Sequence, residues 1–158
     1  MVTPEAAMEA ARHGLSQLNV ADQPALQRTL AEGNPGLPVY VARLDQPGHG
    51  YYLVPWQQAR GIAAIVQIDA QTGTLASVAT PAAPQPALVI SKEELWRQIA
   101  AQSSLRVIGD PILVWQPCRE TSSPFLPLYR VPTDAGPLFV GMNGVLHQQL
   151  TPFGKGGG

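Results

Sequence analysis

Ile62-Ala63-Ala64-Ile65-Val66-Gln67-Ile68-Asp69-Ala70-Gln71-Thr72-Gly73-Thr74-Leu75-Ala76-Ser77-Val78 reads as two short apolar strands folded about a turn at 69–73. Ile65, Val66 and Ile68 form a β-branched run on one side of the turn, and Leu75 and Val78 follow it on the other. Gly73 can take the positive φ that a hairpin loop of this length needs. The side chain of Asp69 suits turn stabilisation, since Ala70, Gln71 and Thr72 do not supply the alternating carboxylates of a calcium loop. The rest of the chain reads as helix and strands gathered around this hairpin, twice.

Outward to the N-terminus, Thr3-Pro4-Glu5 has the order of a helix start: N-cap, proline in the first turn, then an acid near the positive end of the dipole. Ala7, Met8, Ala11, Leu15 and Leu18 recur at helical spacing and predict one apolar face. A second short helix is predicted over 24–31, ended by Gly33-Asn34-Pro35-Gly36. Residues 37–44 (LPVYVARL) and 51–56 (YYLVPW) read as strands joined by a turn-rich loop at 45–50.

Outward to the C-terminus, the Pro/Ala stretch 81–86 favours extended backbone and predicts a boundary between halves. Ser91-Lys92-Glu93-Glu94 has the pattern of a capping box and opens a helix with Leu95, Ile99 and Trp96 available for burial. Strands are predicted over 111–116, 126–131, 137–142 and 145–150, with Asn143-Gly144 as a tight turn between the last two.

The same order recurs in the two halves. Gly36-Leu37-Pro38 is matched by Gly109-Asp110-Pro111, Tyr52-Leu53-Val54-Pro55 by Tyr129-Arg130-Val131-Pro132, and Ile65-Val66-Gln67-Ile68 by Phe139-Val140-Gly141-Met142. The expected organisation is therefore α+β, with two tandem helix-plus-antiparallel-sheet units at 1–80 and 87–151 and a flexible tail at 152–158. One such unit leaves sheet edges and one sheet face open, and joining two extends the buried surface.

Composition narrows the function classes. Only 13% of residues are charged and the net charge is −1, without the basic stripe that a phosphate backbone demands, so no nucleic-acid partner is expected. No apolar run approaches the length of a membrane span and the N-terminus lacks the pattern of a secretory signal, so the chain as given reads as soluble, and as cytoplasmic if it is full length. One cysteine, Cys118, excludes an internal disulfide and a multi-thiolate zinc site. His13, His49 and His147 are widely separated and show no metal-ligand spacing; no metal and no cofactor are expected. A nucleophilic Cys118 would need a nearby imidazole or helix N-terminus, and its flanks, Pro117 and Arg119, read as a strand end. A flexible, glycine-rich end at 154–158 follows from composition.

Alternation assigns Val39, Val41, Val54, Val66 and Ile68, with Ile112, Val114, Val131, Val140 and Met142, to the helix side of the sheets. The opposite side would then carry Tyr40, Tyr51, Leu53 and Ile65, and Leu113, Trp115, Leu128, Arg130 and Phe139, with Trp56 and Phe125 at its rim. Aromatic side chains around an arginine on an apolar face are what protein interfaces concentrate. The candidate binding residues are therefore Tyr40, Tyr51, Trp56, Trp115, Phe125, Arg130 and Phe139. That face can be buried within the chain, paired in a homodimer, or open to a foreign protein or peptide.

The helix TPEAAMEAARHGL, the strand YYLVPW and the hairpin VQIDAQTGTL together resemble the PepSY-like family, most fully over 3–79 and more faintly over 90–150. The second half lacks the Asp and Thr of the hairpin turn. The tandem layout is also similar to that of the β-lactamase inhibitor protein, whose disulfides a single cysteine cannot supply. The resemblance implies a non-enzymatic binding or inhibitory module, with a peptidase as one class of partner.

Overall fold

The computed structural model describes residues 1–154. Their helices number three and their strands nine, in a mixed α+β arrangement that is mostly sheet. The chain divides into two compact units, one of Met1–Tyr40 with His49–Leu88, the other of Val41–Gly48 with the chain from Val89 onward. The break at Leu88 lies just beyond the Pro/Ala stretch, but the segment Val41–Gly48, placed in the first half by its order along the chain, belongs to the second unit. The end expected to be a loose tail begins in an ordered contact, because Pro152 bridges to Cys118; residues 155–158 lie outside the described residues.

The first unit opens on helix α1 (Pro4–Ser16), where Thr3 Oγ1 accepts from the Ala6 N–H at 3.1 Å. Helix α2 (Pro24–Glu32) and the short strand β1 (Asn34–Pro35) follow. Strand β2 (Val39–Arg43) straddles the two units, and β3 (Gly50–Gln58), β4 (Gly61–Asp69) and β5 (Leu75–Ala79) form an antiparallel ladder. Ala7, Ala11 and Leu15 of α1 pack on Tyr52, Val54, Trp56, Ala64, Val66 and Ile68. Small alanines at two of the three buried helix positions let the helix lie close to the strands. The turn after β4 forms as its sequence predicts: Asp69 Oδ1 accepts from the N–H groups of Gln71 and Thr72, both at 2.8 Å, and Gly73 has φ +72°.

The second unit contains helix α3 (Lys92–Gln102) and the antiparallel strands β6 (Ile112–Trp115), β7 (Leu128–Thr133), β8 (Gly136–Val140) and β9 (Leu146–His147). Ser91 Oγ caps α3 by accepting from the Glu94 N–H. The Glu94 carboxylate turns outward to Arg97 and to Gln98 Nε2, so only half of the expected capping box is made. Leu95 and Ile99 pack on Tyr129, Val131, Leu138 and Val140. A second cluster on the opposite side of these strands holds Val114, Cys118, Leu128 and Phe139, with Ala42, Leu44 and Leu150 against it. One pairing departs from the antiparallel expectation: β2 runs parallel to β6, Ala42 beside Val114 and Arg43 beside Trp115.

The two units share local details at equivalent places. Tyr52 Oη donates to the carbonyl of Val2, and Tyr129 Oη to that of Ile90, each acceptor being the residue just before a helix N-cap. Ala7 and Ala11 stand four and eight residues past Thr3, as Leu95 and Ile99 stand four and eight past Ser91. Asp69 N–H donates to the Thr74 carbonyl and Gly141 N–H to that of Val145, closing turns in which Gly73 and Gly144 have positive φ. Cross-strand register pairs Tyr52 with Ile68 and Tyr129 with Val140. Ile68 is therefore the counterpart of Val140, two residues from the match with Met142 read from sequence. A slip of two preserves the face of every side chain.

Strand β6 is out of phase with its expected face. Leu113 packs toward α3 whereas Val114 joins the opposite cluster. Ile112, assigned from sequence to the core, is 49% exposed. The segment before the strand is irregular: Ile108 N–H bonds to the Pro132 carbonyl, while Ile112 is the cross-strand partner of Arg130. Three residues, Gly109, Asp110 and Pro111, thus stand against the single residue Val131. The excess is two residues and so keeps the phase, Val107 and Leu113 both packing toward α3. The expected face fails because Ile112-Leu113-Val114-Trp115 is apolar throughout, and alternation does not fix which side such a run buries.

Candidate functional site

Most of the aromatic residues predicted to form an open binding face are buried. Tyr51, Trp56, Trp115 and Phe139 are all less than a tenth exposed. Trp56 is not at a rim but belongs to the α1 core, with Gly33 tight against its indole. Tyr40 is exposed on one flank of that core, its ring meeting Tyr52 edge-on at 5.6 Å. Leu53 and Ile65, on the side of the ladder away from α1, are buried as well.

In the second unit, Trp115 lies under a cation. The Arg43 guanidinium stands 5.0 Å from the Trp115 ring centroid and is held by Asp45 through Nε to Oδ1 at 2.8 Å and Nη2 to Oδ2 at 2.6 Å. The paired arginine holds the Asp45 carboxyl below its usual range. This stacked, fork-to-fork arrangement locks β2 beside β6 and leaves Trp115 no open ring face of the kind an interface uses. Phe125 is half-buried in a turn whose N–H groups bond to Ser123.

Arg130 carries the one charge among these seven residues. It is exposed, and it forms no ion pair with any described residue. Its neighbour across the ladder is the half-exposed Ile112, and Pro132 and Pro137 face each other one step further along. Together with Asp110, Thr133 and Gly136 these residues line a cleft of about 280 Å³. Asp110 is likewise exposed and without an ion pair among the described residues. The Thr133 hydroxyl is occupied, donating to the Gly136 carbonyl at 2.5 Å. Of the cleft residues only Arg130 was singled out from sequence; Ile112 was missed because the apolar run 112–115 does not show which of its sides is buried, and Asp110 because Gly109-Asp110-Pro111 reads only as the entry to a strand. A larger cleft in the first unit, about 570 Å³, runs along α2 and is lined by Gln23, Leu26, Thr29, Gln58 and the stretch 80–84, with no charged side chain.

Cys118 is fully buried, its Sγ 3.8 Å from the Thr121 carbonyl, and burial pushes its thiol above the usual value. Among the described residues no three His, Cys, Asp or Glu side chains gather as a metal site, and no helix is long and apolar enough to cross a membrane.

Compared with protein-family models, with curated proteins and with solved structures, the chain finds no match.

Proposed function

We propose that the chain is a tandem pair of PepSY-like units forming a non-enzymatic module that binds another protein or a peptide, of which a peptidase is the class the sequence resemblance implies. The duplication is supported by the paired tyrosine-to-carbonyl ties, the matching helix positions and the shared turn bonding. The binding reading rests on one observation: Arg130 is exposed on the sheet beside the half-exposed Ile112 and forms no ion pair with any described residue. An exposed cation on apolar ground is a common anchor in protein recognition, because arginine combines stacking, charge and five donors. Self-association through the aromatic face has less support, since Tyr51, Trp115 and Phe139 are buried within the chain. An enzymatic role for Cys118 also has less support, because burial disfavours its thiolate.

Selection from a displayed random peptide library tests the reading, with the native chain and an Arg130→Ala, Ile112→Ser double variant as parallel baits. The expected result is a family of peptides enriched on the native chain and lost on the variant. No enrichment, or equal enrichment on both baits, overturns it.

A further inference from the structure

We infer that the cleft between Asp110 and Arg130 is a subsite for a peptide segment in which one apolar side chain is flanked by an acidic residue and a basic one. The inference rests on the peptide-binding reading and names the chemistry of the ligand. Two charges of opposite sign line one cleft, yet neither forms an ion pair with any described residue. The guanidinium has five donors in a planar fork that matches a carboxylate, and the Asp110 carboxylate can only accept. An anion alone would gain at Arg130 and be repelled at Asp110. A cation alone meets the reverse. A segment that carries both charges satisfies both groups.

The floor between them sets the middle residue. Pro132 and Pro137 are cross-strand partners, and Ile112 is 49% exposed at the side. Prolines have no N–H, so this stretch cannot take a ligand by adding a strand. Recognition there falls to side chains on an apolar floor. At about 280 Å³ the cleft is at the small end of ligand pockets, with room for one large side chain and its flanking groups rather than a folded ligand. The first unit's larger cleft has no charge to orient a ligand, which is why the smaller one is favoured.

The test is titration of the ¹⁵N-labelled chain with blocked tripeptides, followed by amide NMR. Acetyl-Glu-Leu-Lys-amide and acetyl-Lys-Leu-Glu-amide present the two orders of charge, and acetyl-Gln-Leu-Gln-amide is the neutral control. One charged order should shift the amides of Ile112, Arg130, Thr133 and Gly136 and bind at least about tenfold more tightly than the control. Reversing both charges, Asp110→Lys with Arg130→Glu, should transfer the preference to the other order; both sites are exposed, and the spectrum itself reports whether the fold is kept. If the neutral peptide binds these amides as tightly as the charged ones, charge recognition is wrong while the peptide-binding reading stands. If no peptide moves these amides, the subsite is wrong, and the library selection decides the broader reading separately.

Discussion

Glu120 fastens the end of the described chain through a single partner. Its carboxylate accepts from Thr151 N–H and from Thr151 Oγ1, both at 2.8 Å, while Arg119 N–H bonds to the Thr151 carbonyl. The two bonds from Thr151, the backbone one first, bring the carboxyl from 4.5 down to about 2. A carboxyl whose folded pKa is depressed contributes stability above its unfolded pKa and loses it as pH falls through the folded value. The Thr151 amide should therefore be protected from exchange at pH 6 and lose protection progressively below about pH 4.5, most of it by pH 2. Glu120→Gln should exchange quickly at both ends of that range. A Thr151 amide whose protection ignores both the pH and the substitution would show that something else holds this segment. Arg130 shows what one residue reveals from sequence alone: a charge at an alternating position in an apolar strand stands out, whereas the exposure of Ile112 does not.

The helices and turns were legible because their causes are local. Thr3 and Ser91 cap as their types predict, and Asp69 and Gly73 build the turn that their order along the chain implies. Strand faces were less legible, since Ile112-Leu113-Val114-Trp115 is apolar throughout and alternation does not tell which side of β6 turns to the helix, and with it the makeup of the cleft. The parallel pairing of β2 with β6 joins residues about seventy positions apart, beyond any local pattern. The end of α2 shows a local signal with a distant cause. Gly33 reads as a helix stop, yet its φ of −101° is open to any residue. The constraint is space: a Cβ there would lie 2.3 Å from Trp56 Cδ1, and that ring is buried in the α1 core. Gly33→Ala should then cost about 1–3 kcal/mol, as overpacking does, read as a fall in the urea midpoint. In a Trp56→Phe background the same substitution should cost clearly less, because the smaller ring leaves room. Equal costs in the two backgrounds would mean that the indole is not what excludes a side chain.

For the molecule as a whole, the order of residues along the chain and the membership of its compact units disagree at one segment. Val41–Gly48 precedes the first hairpin but belongs with the second unit, where Ala42 and Leu44 lie on the cluster of Val114, Cys118, Leu128 and Phe139. A fragment of residues 87–158, cut where the sequence places the joint, therefore lacks part of its own core. Cys118 reports on this directly, because it is fully buried and burial disfavours the reactive thiolate. In the full chain its reaction with an aromatic disulfide reagent at pH 8 should be slow. In the fragment it should be at least about tenfold faster, approaching the rate of the urea-unfolded chain. A synthetic peptide of residues 39–48 should slow it again at concentrations where a scrambled peptide has no effect, since the parallel pairing with β6 and the apolar contacts of Ala42 and Leu44 are what the cut removes. A fragment that keeps Cys118 as protected as the full chain does would show that the second unit completes its core without the borrowed strand.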